Sequence, residues 1–126
     1  MNRYLLSLGS NCPAAPLKMV AAERWLRAMF TVVRTSGVYA TRALNGVSPD
    51  YLNMLAEVDS DLSVEQMVET AKMEERAEGR TPESKLRGVV ELDIDVIQVG
   101  NTILRPEEFA RAYFAEGFRR LNSPEK

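Results

Sequence analysis

Histidine is absent from the 126-residue chain. With it go Ser-His and Cys-His nucleophile pairs, imidazole acid/base chemistry and His-ligated metals. Cysteine occurs once, at Cys12, which excludes an internal disulfide, offers no zinc spacing and predicts a reducing, cytoplasmic setting. No apolar run approaches the roughly 20 residues that a membrane-spanning helix needs. The opening MNRYLLSLGSNC ends in cysteine as a lipoprotein signal would. Its apolar run is only Tyr4 to Leu8, however, and Gly9 stands where such a signal carries leucine, so it reads as a first strand. Neither sign of charge dominates, with 16 Lys and Arg against 18 Asp and Glu. Nucleic acid and membrane surfaces are therefore not the expected partners. What remains is a chain that is 45% hydrophobic and 27% charged, expected to fold as one domain over residues 1–126 with a frayed tail from 122. Its chemistry must run on carboxylates, cations, hydroxyls or a bound metal.

The elements follow from periodicity. RYLLSLGS reads as a buried strand ending in a Gly-Ser turn. Pro16 to Met29 carries Leu17, Val20, Ala21, Trp25, Ala28 and Met29 at helical spacing. FTVVRTSGVYAT is β-branched and interrupted by Gly37, which predicts a second strand with a bulge or bend. The LNGVSP segment signals a loop, and DYLNMLAEVDS then alternates as a strand, with Tyr51, Asn53, Leu55 and Glu57 on one face. Ser63 and Gln66 form a predicted capping box that opens a helix closed by Gly79, with Val64, Met67, Val68, Ala71 and Met73 toward a core. A polar loop, RTPESKLRG, leads to the strand VVELDIDVIQVG, and a last amphipathic helix runs from Glu107 to about Leu121. The order βαββαβ plus a terminal helix predicts an α+β ferredoxin-like sandwich, its helices packed on one face of an antiparallel sheet.

The fourth of these strands carries two carboxylates. Residues two apart in a strand point the same way, so Asp93 and Asp95 share one face, about 6.6 Å apart, while Leu92, Ile94 and Val96 share the other. Such a pair repels itself unless a cation sits between its members. A hard divalent ion such as Mg²⁺, which needs only one or two protein carboxylates and keeps waters and phosphate oxygens, is one answer. A simply wet sheet face, with the aspartates solvated or paired with Lys and Arg, is the other.

LSLGSN at 6–11, VYAT at 38–41, PDYLN at 49–53, EGR at 78–80 and LDID at 92–95 occur in the order and near-spacing of the folate-pathway hydroxymethyldihydropterin pyrophosphokinases, and the chain resembles that family from about Tyr4 to Gly100. The resemblance implies a ferredoxin-like fold. It also implies transfer of pyrophosphate from ATP to 6-hydroxymethyl-7,8-dihydropterin. By the same resemblance Asp93 and Asp95 would hold two Mg²⁺ ions against the ATP phosphates, and Arg80 would contact those phosphates. Asn53 would read the amide-like edge of the pterin and Tyr51 would stack on it. Thr41 would contribute loop backbone, while Gly9, Ser10 and Asn11 would shape the pocket floor. Phe118, after Gly117, would be the second face of an aromatic sandwich.

The departures concern the nucleotide. After Arg80, TPESKLRGVVE lacks most of the family's loop cations. Arg87, carried over as a nucleotide contact, stands at the family's tryptophan position, and Val90 replaces an arginine. TRALNG has lost a proline pair, the family's His-Tyr pair has no counterpart, and the family's longer C-terminal part is missing. Arg105, Arg111, Lys85 and Arg87 are the cations that could supply charge from elsewhere. Alongside the Mg-dependent kinase, two other readings therefore stand: a noncatalytic pterin- or nucleotide-binding paralogue, and a ferredoxin-like assembly module that forms a homo-oligomer.

Overall fold

A computed structural model of the chain describes residues 1–42 and 50–123. Its elements are β1 (Asn2–Ser10), α1 (Ala15–Met29), β2 (Thr31–Thr35), β3 (Tyr39–Thr41), β4 (Tyr51–Ser60), α2 (Val64–Ala77), α3 (Pro82–Leu86), β5 (Asp93–Val99), β6 (Thr102–Ile103), a 3₁₀ turn (Pro106–Ala110) and α4 (Ala112–Leu121). The expected α+β fold is present, except that its helices are not all on one face: α4 packs on the side of the sheet opposite α1 and α2. One antiparallel sheet runs β2-β4-β1-β5-β6, with β3 also paired to β4.

Strand alternation gives that sheet two unlike faces. Tyr4, Leu6 and Leu8 of β1, Met54, Ala56 and Val58 of β4, and Ile94 and Val96 of β5 form the main core with Met19, Ala22 and Leu26 of α1 and Met67 and Ala71 of α2. The opposite face is divided. At one end Leu5, Leu55 and Ile97 are closed over by Phe114 and Leu121 of α4. At the other end Gly9, Asn53, Asp93, Ser7 and Asp95 stay open as a cavity floor.

Local signals hold where they are chemical. The Ser63 side chain accepts from the Gln66 amide at 3.2 Å and Gln66 Oε1 accepts from the Ser63 amide at 2.9 Å, so both halves of the capping box form. Gly79, at φ 102°, ends α2. Its N–H bonds the Arg76 carbonyl and the Arg80 N–H bonds the Glu75 carbonyl, the paired bonds of a Schellman stop.

Other expectations need correction. Leu17, Val20 and Met29 are exposed, because α1 buries Ala15, Met19, Ala22 and Leu26 instead. That helix has two apolar stripes, and the sheet takes the one where Ala22 allows close approach. Met73 is likewise exposed. The second strand divides at Gly37, φ 72°, into β2 and β3. The polar loop after α2 contains the short α3, and the last helix begins only at Ala112. The LNGVSP loop lies outside the described residues.

Candidate active site

Register brings the site together. Gly9 pairs with Asn53 on one side and with Asp93 on the other, and Ser7 pairs likewise with Leu55 and Asp95. Two adjacent rungs of this sheet face thus read Asn53, Gly9, Asp93 and Leu55, Ser7, Asp95, with Leu55 covered by α4 and the other five open to the cavity. At Gly9 a Cβ would sit 3.4 Å from Asn53 Oδ1 and 3.6 Å from Tyr51 Cδ1, so the missing side chain leaves a trough between the amide and the carboxylates. Over this floor opens a cavity of about 1470 Å³, also lined by Thr41, Tyr51, Arg80, Arg105, Glu108 and Tyr113.

Asn53 is buried and donates to Thr41 Oγ1 at 2.7 Å, which fixes its amide plane and joins two expected residues. Tyr51 stands beside them at the edge of the cavity. Burial, and then the nearby Asp93 charge, push its phenol up from the ordinary value. Asn11 works as a clasp rather than a contact. Its side chain donates to the Gly88 carbonyl at 3.0 Å and accepts from the Val90 amide at 2.6 Å, tying the end of the α2–β5 connection to β1.

The aspartate pair is flanked by two arginines. Arg80, delivered by the Gly79 stop, donates to Asp93 Oδ1 at 2.7 Å and lies 3.2 Å from Glu75 Oε2. Glu75 in turn accepts from the Ile94 amide at 2.7 Å, locking α2 to the strand between the two aspartates. Asp95 is the more enclosed of the pair. Burial first, then the Asp93 charge, raise its carboxyl to about 7, against the opposing pull of Arg105. Arg105 Nη1 lies 3.7 Å from Asp95 Oδ1.

Three expected residues fall outside this cavity. Ser10 is fully buried and directs its hydroxyl to the Val90 carbonyl. Phe118 is stacked on Phe114, ring centroids 5.9 Å apart, on the side of α4 away from the cavity floor. Its place after a glycine resembles the family pattern, but α4 turns it elsewhere. Arg87, just after the exposed end of α3, does not line the cavity.

The second aromatic of the cavity is Tyr113, which sequence reasoning missed. Its hydroxyl donates to the buried Glu108. Burial and that acceptor push the phenol well above its usual range. Its carbonyl accepts from Tyr39 Oη at 2.7 Å. Tyr39 passes through a notch at Gly117, where a Cβ would come within 2.1 Å of the Tyr39 hydroxyl and 2.8 Å of Leu55 Cγ. Buried, and facing Glu116, the Tyr39 phenol is raised to about 12 and stays a donor. The signal was available: Tyr113 and Gly117 are four apart, so a helix places both on one face.

A hard divalent cation fits this donor set. Two carboxylates share one face, and burial first, then the Asp93 charge, disfavour ionised Asp95 until a cation joins them. Among the described residues no third His, Cys, Asp or Glu joins them in a metal-holding group. Further coordination would therefore come from substrate oxygens and water, as is usual for Mg²⁺. No helix among the described residues is long and apolar enough to cross a membrane.

Comparison with known proteins gives the family of the sequence. The sequence model of the 7,8-dihydro-6-hydroxymethylpterin-pyrophosphokinase family matches residues 5–123. A 2-amino-4-hydroxy-6-hydroxymethyldihydropteridine pyrophosphokinase from Haemophilus influenzae is 27% identical over 114 residues, covering 86% of this chain and 69% of the relative.

Proposed function

The chain belongs to the 7,8-dihydro-6-hydroxymethylpterin-pyrophosphokinase family, and on that premise we propose that it transfers pyrophosphate from ATP to 6-hydroxymethyl-7,8-dihydropterin, a step of folate biosynthesis. One observation carries the reading. Over Gly9, which is paired with Asn53 on one side and Asp93 on the other, opens a cavity lined also by Asp95, Tyr51 and Tyr113.

The chemistry follows from those positions. Asn53, with its donor and acceptor held in plane by Thr41, suits the amide-like edge of a pterin. Tyr51 and Tyr113 offer ring faces to the heterocycle. The hydroxymethyl group then lies toward Asp93 and Asp95. Its oxygen attacks the β-phosphorus of ATP, the bond from that phosphorus to the α,β-bridging oxygen breaks, and AMP leaves while the hydroxyl proton passes to a carboxylate or water. Asp93 and Asp95 would hold Mg²⁺, which when bound neutralises phosphate charge. Arg80, fixed by Glu75 and Asp93, presents a guanidinium beside the same oxygens. The protein is read as single-domain and cytoplasmic, with small molecules as its partners.

AMP release from ATP, the pterin and Mg²⁺ tests this, measured on wild type and on Asp93→Ala/Asp95→Ala. Magnesium-dependent turnover that disappears in the double variant is the expected result. Pterin binding without any turnover would replace the enzyme with a noncatalytic binder, a reading favoured by the position of Arg87 away from the cavity.

A further inference from the structure

Among the described residues, Arg3, Arg27, Arg34, Arg76, Arg80, Arg119 and Arg120 each hydrogen-bond a carboxylate directly, at 2.5 to 3.4 Å. Arg105 does not. Its Nη1 stands 3.7 Å from Asp95 and its Nε 3.7 Å from Glu107, close enough for attraction and too far for a hydrogen bond. The Nε atom is shielded from solvent and finds no acceptor among the described residues. A buried N–H without an acceptor is costly, and native structures rarely keep one without a use.

Its location supplies the use. Arg105 lies between β6 and the 3₁₀ turn, where its own amide bonds the Ile97 carbonyl and Pro106 begins the turn. It lines the cavity next to the aspartate pair, on a segment separate from the α2–β5 connection. Arg111, on the same strap, is held as loosely, 3.9 Å from Glu108.

We infer that Arg105 is a phosphate-binding residue: its guanidinium takes an anionic oxygen of a triphosphate drawn to the aspartate pair, supplying from the strap the cation that the α2–β5 connection lacks. The planar fork matches phosphate, and the unpaired Nε donor gains the acceptor it lacks. This rests on the proposed reaction for the identity of the nucleotide, and on the orphaned donor for the residue.

Calorimetric titration of the full chain with ATP, AMP and inorganic tripolyphosphate, each with Mg²⁺, provides the test. Wild type, Arg105→Ala and Arg105→Lys are compared, and thermal unfolding of each is recorded. Arg105→Ala is expected to weaken ATP and tripolyphosphate at least tenfold and AMP less than threefold, with pterin affinity kept and Arg105→Lys intermediate. Unchanged triphosphate affinity with a shifted melting temperature makes Arg105 a counter-ion of Asp95 only and overturns the assignment, leaving the reaction intact. Arg105-dependent tripolyphosphate binding in a protein that releases no AMP overturns the reaction and keeps the residue. A wild type that binds no triphosphate sinks both. Should Arg105→Ala fail to fold, Arg105→Gln replaces it in the same comparison.

Discussion

Arg80, at the end of α2, and Arg105, on the strap before α4, line one cavity beside the aspartate pair, and they differ in how completely they are used. Arg80 is tied to Asp93, to Glu75 and, at 3.4 Å, to the Leu92 carbonyl. Arg105 is held only by attraction at a distance. The first kind of arginine is a fixed part of the scaffold, with its orientation set before any ligand arrives. The second keeps donors in reserve. Preorganisation and receptivity are thus divided between two side chains of the same type, and the division follows from the backbone beneath them: a Schellman stop for one and an irregular strap for the other.

Removing the aspartates breaks the comparison at its centre. Asp95→Ala is expected to lower kcat/KM for AMP release by about 10³ or more, since the phosphate charge loses its metal seat. Asp95→Asn carries the same activity loss together with a gain in stability. The folded state keeps a proton on Asp95 up to about 7, whereas the unfolded chain releases it near 3.8. The stability from this site is therefore full in acid, falls as pH climbs between those values, and stays low above them. Without metal at about pH 8, Asp95→Asn should therefore unfold at a higher temperature than wild type, by the equivalent of about 1–3 kcal/mol. Added Mg²⁺ should close that gap by stabilising wild type alone.

Arg80→Ala comes next, with a loss of about 10² in kcat/KM. It strips two carboxylates of their partner, so a lower melting temperature should accompany the kinetic loss. Gly117→Ala addresses α4. A methyl group there collides with Tyr39 and Leu55, and overpacking of this kind costs about 1–3 kcal/mol in chemical denaturation. Because Tyr39 anchors the Tyr113 carbonyl, pterin affinity should fall as well. Arg87→Ala is the smallest. With the side chain outside the cavity, turnover should stay within about twofold of wild type, and a tenfold fall would return the nucleotide contacts to the α2–β5 connection.

Much of the fold was legible because its signals are local. β-branched alternation, the Ser63 and Gln66 box and the Gly79 stop each name a structure through chemistry within a few residues. The shared face of Asp93 and Asp95 needs nothing beyond the strand repeat. Asn53 and Tyr51, named through the family resemblance, line the cavity. The failures came where two solutions satisfy the same pattern. Helix α1 has two apolar stripes, and only the sheet decides between Leu26 and Leu17. Phe118 followed a glycine as the family pattern asks, while the physical reason for Gly117 is the passage of Tyr39, a contact 78 residues away in the chain. Glu108 and Arg105 belong to a strap before α4, tied to β5 through the Ile97 carbonyl, and no periodicity announces it.

The clasp at Asn11 has a mechanical consequence. The α2–β5 connection is anchored at Gly79 and Arg80 by the helix stop and at Gly88 to Val90 by the Asn11 side chain, so its free span is a tether of only a few residues bent around α3. A short tether fixed at both ends costs little chain entropy to close. It also has little slack, and any cation mounted on it has a correspondingly short radius of action. A protein with so tight a leash on one segment beside its cavity gains reach by mounting charge on another.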